Sequence, residues 1–206
     1  MRITLFDYGA GNLHSLAKAL AAPDAEVRIE ADPALAVETD ALVLPGVGAF
    51  GAAAARLAPA REAVCDAVRG GLPALGICLG MQLLFEESEE GPGEGLGIVP
   101  GTVRRLRARR VPHIGWNEVE RAAGGAASGE PLLDAAPVGV AYYANSFVCE
   151  PRDPGCVTAW STHEDDRFAA AVRAGSAVGV QFHPEKSSDA GVRFVRAFVA
   201  SVRERR

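Results

Sequence analysis

The chain has 206 residues, 49% of them hydrophobic and 23% charged, with a formal net charge of −5. Those proportions suit a globular α/β domain with a full core, and the acidic balance argues against a nucleic-acid or anionic-membrane binder, which needs a basic surface. Cys65, Cys78, Cys149 and Cys156 form no C-x-x-C pair and no disulfide-like framework, so the expectation is reduced thiols in a cytoplasmic protein. Residues 1–7 hold no signal-peptide core, and no apolar run is long enough to span a bilayer.

In chain order, residues 2–6 read as a strand and 7–12 as a loop, followed by a helix with Leu13, Leu16, Ala17 and Leu20 on one face. Short strands follow at 27–30 and 41–44, then a helical stretch at 52–68 interrupted by Pro59. Residues 72–85 read as strand, sharp turn and helix, with Leu79, Leu83 and Leu84 at helical spacing. Alternation of this kind predicts an α/β fold: a doubly wound, mostly parallel sheet with flanking helices. Its functional loops would lie at strand C-termini, at 7–12, at 45–48 and at Cys78.

After Phe85 the pattern changes. The acidic run 86–90 reads as a solvated helix end. Stretches at 102–105, 111–119, 138–144, 157–160, 168–173 and 177–182 read as additional antiparallel or mixed strands, and 124–129 as a glycine-rich loop. A last helix at 189–202 places Val192, Val195, Phe198 and Val199 on one face. Arg104, Arg105, Arg107, Arg109 and Arg110 read as a surface or interface edge rather than a phosphate site. No repeat and no linker divides the chain, so one domain spanning residues 1–206 is expected.

The chemistry starts at Cys78. Gly76 and Gly80 flank it two residues away on either side, the nucleophile-elbow pattern with cysteine in place of serine. A thiol at the start of a helix faces unpaired N–H groups, which favour the reactive thiolate. The N–H of Leu79 would help to hold an oxyanion. Gly46-Val47-Gly48-Ala49-Phe50-Gly51 matches a dinucleotide fingerprint, but it is not in the first βα unit and no ribose-binding acid ends the next strand. The better reading is that Val47 or Gly48 offers the second oxyanion donor beside Cys78.

Four histidines compete for the role of base: His14, His113, His163 and His183. His183 is favoured because the pattern runs a strand into it that ends at Pro184, so that Glu185, two residues on in an extended segment, would project to the same side and orient the ring. A zinc reading fails for want of a second ligand at metal spacing, and no metal or cofactor is expected.

The elbow at 76–82 together with His183-Pro184-Glu185 resembles the class I (triad) glutamine amidotransferases. Asp7-Tyr8-Gly9-Ala10-Gly11-Asn12, Pro45–Phe50, Gly95–Gly101, His113-Ile114-Gly115-Trp116-Asn117 and Phe182–Ser187 narrow the resemblance. They are similar to the glutaminase subunits of imidazole glycerol phosphate synthases, one branch of that family. Met81 stands where anthranilate-synthase-type relatives carry His, and Asn145-Ser146-Phe147 departs from the His-Ser/Thr-Tyr associated with that segment.

The resemblance implies that Cys78, His183 and Glu185 hydrolyse glutamine to glutamate and ammonia, with Leu79 and Val47 or Gly48 as oxyanion donors. It implies that Gln82, Asn145, Ser146 and Phe147 hold glutamine. Ammonia would pass to a separate (β/α)8 cyclase subunit, which makes imidazole glycerol phosphate and AICAR from PRFAR in histidine biosynthesis. Asn12, Trp116, Asn117, Tyr142 and Lys186 would face that partner, whose nucleotide substrate would switch the glutaminase on. The alternatives are a glutaminase subunit of another amidotransferase complex, or a non-catalytic phosphate- or nucleotide-binding module built on residues 46–51.

Overall fold

The computed structural model describes residues 1–9, 13–123 and 130–205. The first half contains β1 (Arg2–Phe6), α1 (Leu13–Leu20), β2 (Glu26–Glu30), β3 (Ala41–Leu44), α2 (Phe50–Leu57), α3 (Arg61–Arg69), β4 (Ala74–Ile77) and α4 (Leu79–Gln82). The second half contains β5 (Glu87–Ser88), β6 (Gly101–Arg105), β7 (His113–Glu118), β8 (Glu120–Arg121), α5 (Pro131–Ala135), β9 (Val140–Asn145), β10 (Phe147–Pro151), β11 (Val157–His163), β12 (Asp166–Ala174), β13 (Ala177–Val180) and α6 (Ser188–Glu204).

The main sheet runs β2-β1-β3-β4-β13-β12-β11-β8. Pairing is parallel from β2 to β13 and antiparallel from β13 onward. β3 and β4 are buried throughout, as continuous apolar runs in a parallel sheet must be when both faces are covered. One face packs on α1, α5 and α6, the other on α2, α3 and α4, which gives the doubly wound layering expected from the alternating first half. Two small sheets, β10-β6-β5 and β7-β9, complete the C-terminal half. Helix α2 ends at Leu57 and a 3-10 turn carries Pro59 into α3, the break that a proline imposes. On α6 the core residues are Phe194, Val195, Phe198, Val199 and Val202, whereas Val192 is only half-buried.

Three expectations are corrected here. The helix after Cys78 is a single turn, because the chain folds back and the N–H groups of Leu96, Gly97 and Ile98 donate to the carbonyls of Leu83, Phe85 and Leu84. The acidic run is not a helix end. Glu86 accepts from the Gly101 N–H at 2.9 Å and from Arg152 at 2.8 Å, Glu89 accepts from the Arg105 N–H at 2.8 Å, and Glu90 accepts from the Phe50 N–H at 2.8 Å. The arginine run does not share one surface edge. Arg104 is buried, donating to both carboxylate oxygens of Asp166 at 2.8 and 2.7 Å and to Glu150 at 2.9 Å. Burial alone would raise the Asp166 carboxyl, but Arg104 and the Arg107 N–H hold it below its ordinary value.

Removing one member of such a buried pair leaves the other charge without compensation. Asp166→Asn is therefore expected to cost about 3 kcal/mol, or roughly 6–12 °C in melting temperature for a chain of this size, read by thermal denaturation. A melting point within about a degree of the unaltered chain would show that Glu150 alone satisfies Arg104.

Candidate active site

Cys78 lies between β4 and α4 with φ 49°, a left-handed conformation that a residue bearing a Cβ adopts only under constraint. The constraint is the close approach of the turn to the sheet. A Cβ on Gly80 would lie 2.0 Å from the Leu44 carbonyl oxygen, and one on Gly76 would lie 2.5 Å from the Gly80 oxygen. Glycine on both sides of the cysteine is thus required by backbone packing. The Cys78 N–H donates to the Val180 carbonyl at 2.7 Å, so the parallel β4–β13 ladder extends into the turn itself.

His183 enters from the neighbouring strand. β13 ends at Val180, earlier than the sequence pattern implied, and His183 opens a 3-10 turn over Pro184–Lys186. That turn, rather than strand alternation, returns Glu185 to the ring. The His183 Nδ1 and Glu185 Oε1 are 2.9 Å apart, and His183 is 1% exposed. Burial by itself would lower the His183 pKa, but hydrogen bonds to Cys78 and Glu185 and the charges of both raise it to about 9. The other histidines are elsewhere. His14 is exposed on α1, and His113 stacks against His163 and Tyr143 at ring distances of 4.1 and 4.9 Å.

Cys78 and His183 border a cavity of about 310 Å³, together with Gly46, Val47, Gly48 and Leu79. Gly46 is needed at its rim, since a Cβ there would meet the Ile77 oxygen at 2.9 Å, the His183 ring at 3.1 Å and Cys78 Cβ at 3.2 Å. The 46–51 glycine pattern therefore turns toward the sulfur. The Tyr8 hydroxyl, which the sequence reading had not singled out, donates to the Pro45 carbonyl and fixes the start of this loop. Burial first, then the neighbouring Cys78 and Asp7, keep that phenol well above its ordinary pKa.

Gln82, Asn145, Ser146 and Phe147 line the opposite wall. Gln82 is buried rather than a helix-surface amide, and its Nε2 donates to the Phe147 carbonyl at 3.1 Å. Asn145 Nδ2 donates to the same carbonyl at 3.0 Å, while its Oδ1 is buried with no hydrogen-bond partner among the described residues. Glu90 also reaches this wall, and nothing in the acidic run 86–90 foretells it.

Trp116, Tyr142 and Lys186 come together beside the cavity mouth. The Trp116 and Tyr142 rings meet edge-on at 6.1 Å, and Lys186 Nζ sits 5.9 Å from the Tyr142 ring centre. Trp116 is 55% exposed and Ile114 64%, so β7 and β9 turn an apolar face to solvent. Asn117 does not share that face: its amide points the other way and donates to the Thr162 carbonyl at 2.9 Å. Asn12 and the 124–129 loop lie outside the described residues. Among those residues no group of three or more His, Cys, Asp or Glu could hold a metal ion, and no helix is long and apolar enough to cross a membrane.

The family model for class-I glutamine amidotransferases matches residues 4–202. The chain is 41% identical over 211 residues to the imidazole glycerol phosphate synthase subunit HisH of a Synechococcus species, covering 100% of this chain and 96% of that one. It is 42% identical over 203 residues to the HisH subunit of Pyrococcus furiosus, covering 96% and 97%. Among solved structures, a glutamine amidotransferase superposes with a TM-score of 0.72 at 20% identity, covering 97% of this chain and 98% of that one. The glutaminase domain of Trypanosoma brucei CTPS with bound acivicin superposes with a TM-score of 0.68 at 16% identity, covering 99% and 94%. These structural likenesses bear on the fold alone.

Proposed function

The chain belongs to the class I glutamine amidotransferase family, and on that premise we propose that it is the glutaminase subunit of an imidazole glycerol phosphate synthase, working in the cytoplasm in histidine biosynthesis. The observation that carries the reading is the cavity in which Cys78, His183 and the 46–48 backbone meet, with Glu185 behind the imidazole. Full-length identity above 40% to subunits of that name supports the choice of synthase.

In this reading the Cys78 thiolate attacks the side-chain amide carbon of glutamine, and the carbonyl electron pair moves onto oxygen. Leu79 N–H and a backbone N–H of Val47 or Gly48 hold the oxyanion, each donor contributing about 10²–10³ in rate. His183, cationic at neutral pH, gives its proton to the departing nitrogen, and the intermediate collapses to a thioester and ammonia. The neutral ring then takes a proton from water, hydroxide attacks the thioester, and glutamate leaves as the thiolate and imidazolium return. At the far wall, Asn145 Oδ1 and the Glu90 carboxylate suit the α-ammonium of glutamine, a charged donor for a buried acceptor that lacks one. Gln82, Ser146 and Phe147 complete that wall. No cofactor takes part in these steps.

Ammonia in neutral water becomes ammonium and loses its nucleophilicity, so the product must pass directly to an acceptor site. We assign that site to a (β/α)8 cyclase subunit, docked on the face where Trp116, Tyr142 and Lys186 gather beside the cavity. Asn117 takes the supporting place its bond to Thr162 gives it, holding the β7 edge from behind.

The test is ammonia release from glutamine by the complex with its cyclase, followed across pH. Rising pH removes the His183 proton that the leaving nitrogen needs, so kcat/KM falls as pH passes about 9. Glu185→Gln removes one of the charges that raise that value, so the falling limb moves toward neutral pH by about one unit and kcat drops about 10²-fold or more. A limb that stays in place in Glu185→Gln would sink the assigned role of Glu185.

A further inference from the structure

Behind the sulfur, on the side away from the cavity, lies Gln181. It is 0% exposed, its backbone N–H donates to the Ala170 carbonyl at 2.9 Å, and its side-chain Nε2 donates to Cys78 Sγ at 3.5 Å. Its Oε1 is buried without a hydrogen-bond partner among the described residues. A carboxamide in that setting is a poor choice for the fold alone. One end is unsatisfied, and a methionine of similar length would fill the space without that penalty. What the glutamine gains for the molecule is a fixed donor aimed at sulfur.

We propose that Gln181 is the second support of the Cys78 thiolate: its amide N–H donates to the sulfur anion from behind, and so sets both the population of the thiolate and the direction in which its lone pair faces the cavity. The proposal rests on Cys78 being the nucleophile. His183, two residues on in the same segment after β13, supplies positive charge, whereas Gln181 supplies a neutral dipole that does not titrate. Burial, with the nearby Cys78, keeps Tyr8 and Cys149 protonated, and Glu90 and Lys186 line the same cavity as the sulfur. Gln181 is therefore the uncharged donor that persists on either side of the His183 titration. Because it lies outside the cavity lining, it affects the chemical step and not glutamine binding.

The experiment follows alkylation of Cys78 by iodoacetamide as a function of pH, read on the Cys78 peptide by mass spectrometry in the full chain. In Gln181→Met, Cys78 alkylation at neutral pH is expected to slow about tenfold, with the melting temperature unchanged or raised. With glutamine, kcat falls by a similar factor and KM stays put. In Gln181→Leu, which also lacks the donor, alkylation slows by a similar factor. An alkylation profile superimposable on that of the unaltered chain in either variant overturns the proposal, whatever the melting temperature does. Failure of the unaltered complex to release ammonia would count against the glutaminase reading instead, and would leave the alkylation result standing.

Discussion

Cys78→Ala abolishes ammonia release from glutamine, by about 10⁴-fold or more, while synthesis from added ammonium salt by the complex persists. The size of the loss follows from the mechanism: without sulfur there is no covalent intermediate, and the oxyanion donors and His183 are left serving a direct attack by water. The persistence follows from the division of labour proposed above, in which the cyclase subunit would use ammonia irrespective of its source. The substitution is also structurally mild. Cys78 is 5% exposed, alanine carries the same Cβ through the same φ of 49°, and only one heavy atom is lost. The measurement is a paired assay, glutamine-dependent against ammonium-dependent synthesis. Loss of both activities, or survival of the first, would refute the assignment.

Gly80→Ala is expected to be among the most damaging single methyl groups near the site. Its Cβ would lie 2.0 Å from the Leu44 oxygen and 2.6 Å from the Leu44 carbonyl carbon. Those are backbone atoms of a fully buried strand held on one side by β1 and on the other by β4, so neither can give way as a flexible side chain would. The turn must move instead, taking Cys78 and the Leu79 N–H with it. Overpacking of ordinary core positions costs about 1–3 kcal/mol, and an overlap with rigid backbone lies at or beyond the top of that range. A fall of more than about 6 °C in melting temperature is expected together with loss of rapid Cys78 alkylation. Normal melting and normal alkylation would mean that the turn is looser than its packing indicates.

The parts of the molecule that were legible in the sequence are those specified by neighbours along the chain. The alternating apolar strands and helices up to Phe85, the glycine pair around Cys78 and the proline after His183 each state a local requirement. Most strand positions of the second half followed for the same reason, although β5, β8 and β10 were missed, as was the short helix α5. β10 carries Glu150 and Pro151 and pairs with β6 at a sheet where little alternation survives. What was illegible depends on partners far along the chain. Arg104 meets Asp166 across 62 positions, Glu90 reaches Phe50 across 40, and Gln181 reaches Cys78 across 103. No periodicity announces such pairs, so a buried ion pair was read as a surface edge and a cavity-wall acid as a solvated run. His183 and Glu185 do meet, but through a geometry other than strand alternation. Two residues along an extended segment would have met on one side, but a 3-10 turn does the work, which is visible only once Val180 is seen to end the strand.

The β4–β13 pairing carries one more consequence. Ile77 and Val180 are registered partners, and Cys78 follows the first directly, whereas His183 lies three residues beyond the second. The place of the sulfur is therefore inherited from two adjacent central strands, about 4.8 Å apart. The backbone of His183 hangs instead from β9, its N–H donating to the Tyr142 carbonyl at 2.9 Å. Imidazole and carboxylate both stand outside the ladder, so a subunit arriving on the exposed face of β7 and β9 would be best placed to adjust them.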